Sequence, residues 1–154
     1  MRKKTRDKIK FDNRTIEAIK VNDLEFTYVA KDGSVKAKRK ILLPFQVPKK
    51  SITKGLKLCI HRDTGSKYFW LQFWYNGKAD YYSVGKFIPG SWGVSDVEDK
   101  LYPIVRSHTN DKGHWVKNPN ETERKEKAEK ERLIKSEEFI QAERKTINEV
   151  IIEL

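Results

Sequence analysis

Lysine and arginine are the most abundant chemically active residues of this 154-residue chain, and they are unevenly distributed. Residues 1–90 contain 21 Lys and Arg against 8 Asp and Glu, a net charge of +13, whereas residues 91–154 contain 12 against 14, a net charge of −2. A basic surface of this density predicts a polyanionic partner, and nucleic acid is the commonest one. The alternative is a basic surface that serves solubility alone.

The sequence lacks the residue patterns that are typical of catalysis or metal binding. Cys59 lies between Leu58 and Ile60 and is therefore expected to be a buried strand thiol rather than a nucleophile. His108 and His114 have no cysteine at ligand spacing, so zinc is not expected. No Ser/His/Asp order, paired-carboxylate motif or phosphate-binding glycine loop occurs. We therefore predict a non-enzymatic chain with no catalytic residue, metal, cofactor or small-molecule substrate.

The elements that would position a binding surface lie between Gly55 and Lys86. Three runs rich in β-branched and aromatic residues are separated by turn signals, and these runs are Leu56–His61, Lys67–Tyr75 and Ala79–Val84. Asn76-Gly77 predicts a two-residue type I′ turn, because both central positions of that turn need positive φ. Gly65 allows the preceding loop to close the first hairpin. We predict a three-stranded antiparallel meander.

Alternation along the middle strand divides its side chains between two faces, and both faces are apolar or aromatic. Phe69, Leu71 and Phe73 fall on one side, and Tyr68, Trp70, Gln72 and Trp74 on the other. A three-stranded sheet can cover only one of its faces with its own helix. The second face must therefore meet another part of the chain or a partner.

Residues 55–87 resemble the N-terminal arm-binding domain of phage-type tyrosine recombinases, the integrases. That family's pattern is a Gly-Leu strand, a turn ending in Gly-Ser-Lys, a strand with an aromatic–Leu–aromatic core face, a Gly-Lys turn and a strand closing in Leu-Gly plus an aromatic. The corresponding positions are Gly55-Leu56, Gly65-Ser66-Lys67, Phe69/Leu71/Phe73, Gly77-Lys78, and Val84-Gly85 with Phe87. The match is continuous over about a fifth of the chain.

The resemblance implies both a surface and a function. In integrases the outer sheet face lies in the major groove of the accessory arm sites that flank the recombination site. The corresponding positions here are Trp70, Gln72, Trp74, Ala79 and Tyr81. Tryptophan can stack on sugars or cover thymine methyls but supplies no charge for phosphates. The basic contacts are therefore expected from the rim of the sheet, at Lys57, Arg62, Lys67, Lys78 and Lys86.

The resemblance also bears on catalysis and partners. The family's catalytic arginines, His-x-x-Arg motif and tyrosine nucleophile lie in a separate C-terminal domain, and this chain contains no His-x-x-Arg. The implied partners are double-stranded DNA and, through the missing C-terminal part, other recombinase subunits. The implied location is the cytoplasm of a bacterial host, at the nucleoid. The alternative is a protein-interaction or oligomerisation module that uses the aromatic face and the terminal amphipathic helix.

Residues 1–48 are expected to extend the domain. Met1–Lys10 is predicted to be a disordered basic arm, followed by a short helix that Asp12 or Asn13 caps and that runs through Lys20. Residues 24–48 are predicted to form an inserted hairpin around Asp32-Gly33. Its basic residues are Lys36, Lys38, Arg39 and Lys40. They suit either phosphate binding or the protection of an exposed strand edge.

One helix is expected to cover the inner face of the sheet. Ser95 and Glu98 have the spacing of a capping box, which predicts a helix that begins there. Its apolar stripe is Val97, Leu101, Ile104 and Val105. Pro103 should bend or break this helix near Leu101. Trp115, in the polar loop that follows, is expected to pack back onto the domain.

Composition changes abruptly after Pro119. Residues 120–145 alternate Glu with Lys and Arg at helical spacing, which predicts an exposed, salt-bridged linker. Thr146 and Glu149 form a second capping box, so residues 146–154 are interpreted as the start of a truncated helical core-binding domain. The predicted organisation is an arm and short helix (1–23), an inserted hairpin (24–48), the arm-type domain (49–119), the linker and this last segment. No stretch is apolar enough to span a membrane.

The predicted fold class is α+β. It consists of a three-stranded antiparallel meander backed by one α-helix, with an added N-terminal hairpin and a C-terminal charged helical linker.

Overall fold

The computed structural model describes residues 8–47 and 52–153, with side chains as far as residue 146. Residues 1–117 form one compact unit, here called the sheet unit, and residues 118–154 form a second, here called the helix unit. The strands are β1 Ile9–Lys10, β2 Thr27–Val29, β3 Val35–Ala37, β4 Lys40–Gln46, β5 Leu56–His61, β6 Lys67–Tyr75 and β7 Lys78–Lys86. The α-helices are α1 Asn13–Ala18, α2 Val94–His108 and α3 Pro119–Glu153, and a 3₁₀ turn covers Val21–Asp23. The fold is α+β, as predicted.

The predicted meander is confirmed as β5, β6 and β7. Asn76 and Gly77 have φ values of 53° and 74°, so both central residues of the turn are left-handed. Tyr75 and Lys78 are therefore paired directly across it. The longer loop between β5 and β6 closes where the His61 amide donates to the Ser66 carbonyl at 3.0 Å.

The predicted inserted hairpin is only partly correct. β2 and β3 do pair around Asp32-Gly33, but β4 joins the main sheet instead, where Ile41 lies opposite Ile60 and Leu43 opposite Leu58. The reason is hydrophobic: Ile41, Leu43 and Phe45 alternate along β4 and are all buried in the core. A two-stranded hairpin could not bury them. The main sheet therefore has five strands, in the order β1-β4-β5-β6-β7.

The end of the predicted basic arm is a strand rather than a disordered tail. Ile9 pairs in parallel with Phe45 and is only 2% exposed. The prediction overlooked one apolar residue in a basic run, and that residue completes the core beside β4. Residues 1–7 of the predicted arm lie outside the described residues. The short helix that follows is confirmed, with the Asp12 carboxylate accepting from the Thr15 amide at 2.7 Å.

The predicted start of α2 at a Ser95–Glu98 box is wrong by two residues. The helix begins at Val94 with Gly93 as its N-cap, and the Asp96 carboxylate accepts from the Gly93 amide at 2.8 Å. The side-chain oxygen of Asn13, at the start of α1, accepts from the Val94 amide at 2.8 Å. A partner 81 residues away in the sequence therefore satisfies a donor at this helix terminus.

Pro103 does not break α2, which continues to His108. A helix-interior proline costs roughly 3 kcal/mol. Leu101, before the proline, is fully buried, and Val105, after it, packs against the same core. Because both sides of the proline are anchored to the sheet, burial of the stripe offsets its cost. The predicted packing of Val97 and Leu101 on the inner sheet face is confirmed.

Two tryptophans complete the core of the sheet unit. Trp92 lies against Phe69, with ring centroids 5.9 Å apart. An antiparallel bridge between Ile88 and Trp92 positions it in the loop after β7. Trp115 lies 4.9 Å from Phe73 by the same measure. The prediction that the loop after α2 returns Trp115 to the domain is therefore confirmed.

In the helix unit, α3 is one continuous 35-residue helix. The predicted second start at Thr146 is wrong, because the Thr146 hydroxyl donates to the Ala142 carbonyl at 3.0 Å within the same helix. The predicted exposed character is confirmed for residues 123–146, and Glu129 and Arg132 form an ion pair at 2.6 Å. Along the part of the chain that the structure describes, no helix has the length and apolarity that crossing a bilayer requires.

We expect Gly85→Ala to destabilise the sheet unit by about 1–3 kcal/mol, because its Cβ would lie 2.6 Å from a ring carbon of Trp92. Urea unfolding followed by tryptophan fluorescence measures this. Ser83→Ala, at an exposed site on the same strand, is the control and should change stability by less than about 0.5 kcal/mol. In the background of Trp92→Leu the cost of Gly85→Ala should fall, and equal costs in both backgrounds would contradict the steric explanation.

Candidate nucleic-acid interface

The side of the five-stranded sheet away from the core is here called the outer face. Strand register brings Lys57 opposite Trp70, Gln72 opposite Tyr81, and Trp74 opposite Ala79. The face is built from alternate residues of four strands, which are Lys40, Leu42, Pro44, Gln46, Lys57, Cys59, His61, Tyr68, Trp70, Gln72, Trp74, Ala79, Tyr81, Ser83 and Lys86. The two faces predicted for β6 are confirmed, since Phe69, Leu71 and Phe73 are buried on the other side.

Lysine ammonium groups lie over aromatic rings across the outer face. The Nζ of Lys40 is 4.3 Å from the Trp70 centroid, and the Nζ of Lys57 is 5.9 Å from that of Tyr81. The two rings are themselves 5.8 Å apart. Each cation–π contact at an exposed site contributes about 0.5–1 kcal/mol. The contacts therefore hold two cations at defined positions above the centre of the sheet.

A second group lies at the start of β6 and the end of β7. The Nζ of Lys86 is 5.9 Å from the Tyr68 centroid, and the His61 ring meets Tyr68 edge-on at 5.2 Å. Tyr68 and Lys86 are directly paired because a bulge at Phe69/Trp70 adds one residue to β7. The bulge is what brings Lys86 to the outer face, although Ser83 and Tyr81 reach it by simple alternation.

None of the outer-face side chains named above is acidic. The nearby Asp80 lies on the alternate position of β7, and its carboxylate accepts from the Tyr81 amide at 2.8 Å. The charged groups of the face are therefore of one sign. A half-buried aromatic surface with cations of one sign attracts anions more strongly than a fully hydrated lysine does, because the local dielectric is lower.

The structure brings together most of the residues that the sequence analysis proposed for DNA binding. Seven lie on the outer face, and they are Lys40, Lys57, Trp70, Gln72, Trp74, Tyr81 and Lys86. Arg39 precedes β4 and Arg62 follows β5, at the same end of these two paired strands, where the Arg62 amide donates to the Arg39 carbonyl at 2.8 Å. The Arg62 guanidinium also contacts Asp63 at 3.1 Å. Lys38 lies just before Arg39, and Lys78 lies at the turn between β6 and β7.

Lys67 does not join the outer face. Its ammonium donates to the carbonyl of Ile16 at 2.7 Å and to that of Glu17 at 3.4 Å. It thereby satisfies two carbonyls at the C-terminal end of α1. Partial burial lowers the pKa of Lys67, and the charge of Glu17 opposes that shift. Alternation along β6 places Lys67 on the same side as Phe69, which is the inner face. Its side chain therefore stabilises α1 and is not available to a ligand at the outer face.

Tyr68 and His61, whose rings form part of the second group, were not among the proposed DNA-binding residues. Alternation does place Tyr68 beside Trp70, so the sequence carried that signal. His61 lies at the end of β5 and contacts Tyr68 only because of the register between β5 and β6. The predicted buried thiol is confirmed: Cys59 is fully buried, and burial raises its pKa despite the opposing charge of Lys40.

A cleft of about 500 Å³ lies at the far end of β6. Its lining includes Trp74, which is 64% exposed, together with His114 and Trp115. Gly55, Gly113 and Lys54 also line it. Among the described residues, no group of three or more His, Cys, Asp or Glu is placed to hold a metal ion. The chemical groups that line the cleft are therefore mainly aromatic rings and the ammonium group of Lys54.

No protein-family model matches the chain, and neither a curated protein nor a solved structure shows significant similarity to it. The resemblance to integrase arm-binding domains therefore rests on the motif positions between Gly55 and Phe87.

We expect Lys67→Met to lower the free energy of unfolding by about 1.5 kcal/mol, because the variant loses a charge-assisted hydrogen bond to the Ile16 carbonyl. Lys78→Met, at an exposed turn position, is the matched control and should change stability by less than about 0.5 kcal/mol. Urea unfolding measures both. Equal stability of the two variants would refute the role of Lys67 in holding α1.

Proposed function

We propose that the chain is a DNA-binding module of a site-specific recombinase and that it binds duplex DNA through the outer face of its sheet. The observation that carries this proposal is the outer face itself, where Lys40, Lys57 and Lys86 lie over aromatic rings and no acidic side chain interrupts them. Phosphate contacts dominate the affinity of proteins for DNA, and such contacts need cations at fixed positions.

The arrangement of the rings favours a duplex over a single strand. Stacking of unpaired bases needs aromatic rings with an open face. Lys40 lies over the ring of Trp70, and Tyr81 lies beside it. The face of the Trp70 ring is therefore covered, and an unpaired base could contact only its edge. A pleated sheet also fits the major groove, where Gln72 is suited to hydrogen bonds with adenine and apolar edges to contact with thymine methyls.

The place of this module in a larger reaction follows from the resemblance to integrases. In this hypothesis the module holds a recombinase at accessory arm sites during DNA integration and recombination. A different domain of the recombinase breaks and rejoins the DNA strands. The partners are double-stranded DNA and other recombinase subunits, in the cytoplasm of a bacterial host. This chain itself catalyses no step.

The test is a titration of a fluorescent duplex with the full chain at several salt concentrations, beside the same strand unpaired. We expect preference for the duplex and a steep loss of affinity with salt. Lys57→Gln and Lys86→Gln should each reduce the slope of log K against log salt by about 0.9, the value for one phosphate contact. Trp70→Leu should weaken binding several-fold without changing that slope.

Lys112→Gln is the matched control, since it removes one exposed charge from the loop after α2 and should leave the slope unchanged. Equal affinity for the paired and unpaired strand would favour stacking on Trp74 instead. Absence of binding to either form at low salt would overturn the proposed function.

A second candidate function is self-association through α3, and a specific observation favours it. Four large apolar side chains of that helix are about half exposed or more, and they are Leu133, Ile134, Phe139 and Ile140. An exposed apolar group of this kind is typical of an interaction surface. If it holds two copies together, Phe139→Asp should abolish a concentration-dependent dimer in sedimentation experiments, whereas Gln141→Asp should not. A wild-type chain that stays monomeric at all concentrations would exclude this function.

A further inference from the structure

The hairpin formed by β2 and β3, with its flanking residues 26–38, is here called the ribbon. All six of its strand residues are exposed, and Val29 and Val35 at its outer end are 70% and 72% exposed. The ribbon forms a sheet of its own, separate from the five-stranded sheet. An isolated two-stranded hairpin is at best marginally stable in water. Its order must therefore come from its base or from a partner.

The base of the ribbon is fixed to the sheet unit at both strands. Leu24 and Phe26, before β2, are buried in the core, and the Lys38 amide donates to the Phe26 carbonyl at 2.6 Å. On the other strand, the Arg39 carbonyl accepts from the Arg62 amide. The ribbon is therefore held at one end and exposed along its length.

The charge of the ribbon suits a polyanion. Residues 31–40 contain five Lys and Arg and a single Asp. That one carboxylate is engaged locally, because Asp32 accepts from the Ser34 hydroxyl at 2.6 Å and from the Ser34 amide at 3.0 Å, which lowers the pKa of Asp32. Lys36 lies opposite Tyr28, and the Nζ of Lys38 is 5.2 Å from the Tyr28 centroid. One face of the ribbon thus repeats the lysine–aromatic chemistry of the outer face.

The ribbon is also continuous with the proposed DNA-binding surface. Lys38, Arg39 and Lys40 are consecutive, and Lys40 is the residue that lies over Trp70. The basic path therefore runs from the ribbon past Arg39 and Arg62 onto the outer face. β3 occupies three residues of the stretch from Gly33 to Lys40, and that stretch could span at most about 23 Å at about 3.3 Å per residue. That length corresponds to about seven base pairs of duplex at about 3.4 Å each.

We propose that the ribbon is a second duplex-binding element, which contacts phosphates of the same DNA beyond the segment that the sheet covers. Its lysines bind the phosphate backbone through the face that Tyr28, Lys36 and Lys38 share. This proposal rests on the proposed function of the outer face, and it adds that the binding site is bipartite. The two elements together lengthen the contact along the duplex.

The test compares two fluorescent duplexes of about 10 and about 20 base pairs with the same centre, using the full chain. The ribbon variant is Lys31→Gln/Lys36→Gln/Lys38→Gln, which keeps every strand residue that packs on the core. On the long duplex, its slope of log K against log salt should be smaller than that of the wild type by about 0.9 for each lysine that meets a phosphate, up to about 2.7. On the short duplex the two proteins should differ much less.

The matched control is Arg106→Gln/Lys112→Gln/Lys117→Gln, which removes the same net charge from exposed positions on α2 and the following loop. It should bind both duplexes like the wild type. Circular dichroism and urea unfolding verify that both triple variants are folded.

The outcomes separate the two proposals. If the wild type binds both duplexes and the ribbon variant matches the control on the long one, the ribbon is rejected and the outer face stands. If ribbon and control variants lose the same slope, the effect is one of net charge and the ribbon is likewise rejected. If the wild type binds neither duplex at low salt, the proposed function and the ribbon both fail.

Discussion

Alternation of large side chains along β6 is the constraint on which the rest of the sheet unit depends. Phe69, Leu71 and Phe73 point to one side of this strand, and Trp70, Gln72 and Trp74 to the other. The inner set is buried beneath α2 and the two packed tryptophans. In the outer set, Trp70 is half-buried with Lys40 of β4 over its ring, and Trp74 is 64% exposed. One strand therefore supplies both the core and the proposed interface.

Lysines have different roles in this unit, according to strand parity and neighbours. Lys67 has inner parity and satisfies carbonyls of α1, and Lys100 of α2 donates to the Val84 carbonyl at 2.6 Å. Lys57 and Lys40 have outer parity and lie over rings. The net charge of the sequence consequently overstates the charge available to a ligand. What matters for an anion is which ammonium groups remain on the outer face, and register decides that.

The six-residue α1 illustrates how the unit holds together. A helix this short is unstable alone, because its few hydrogen bonds do not repay the cost of nucleation. Its stability comes from Ile16, which is fully buried, and from bonds that its ends share with distant elements. Lys67 of β6 satisfies the carbonyls at one end, and Asn13 at the other end caps α2. The N-terminal segment, the sheet and α2 are thus linked by polar contacts as well as by the core.

The sequence by itself determined the features that depend on neighbouring residues. The Asn76-Gly77 turn, the meander, the two faces of β6, the Asp12 cap and the buried Cys59 all follow from local rules of turn geometry, alternation and capping. Five of the proposed DNA-binding residues share one face through alternation within the predicted meander, and they are Lys57, Trp70, Gln72, Trp74 and Tyr81. Lys40 and Lys86 reach that face only because β4 joins the sheet and β7 contains a bulge. Only the tertiary structure decided the partners of β1 and β4, the start of α2 and the role of Lys67. Each of these depends on a residue far away in the chain: Phe45 for Ile9, β5 for β4, Asn13 for Val94 and Ile16 for Lys67. Local sequence patterns indicate which residues are buried or form a hydrogen bond. They do not indicate which distant group packs against that residue or completes the hydrogen bond, because that contact forms only when the chain folds.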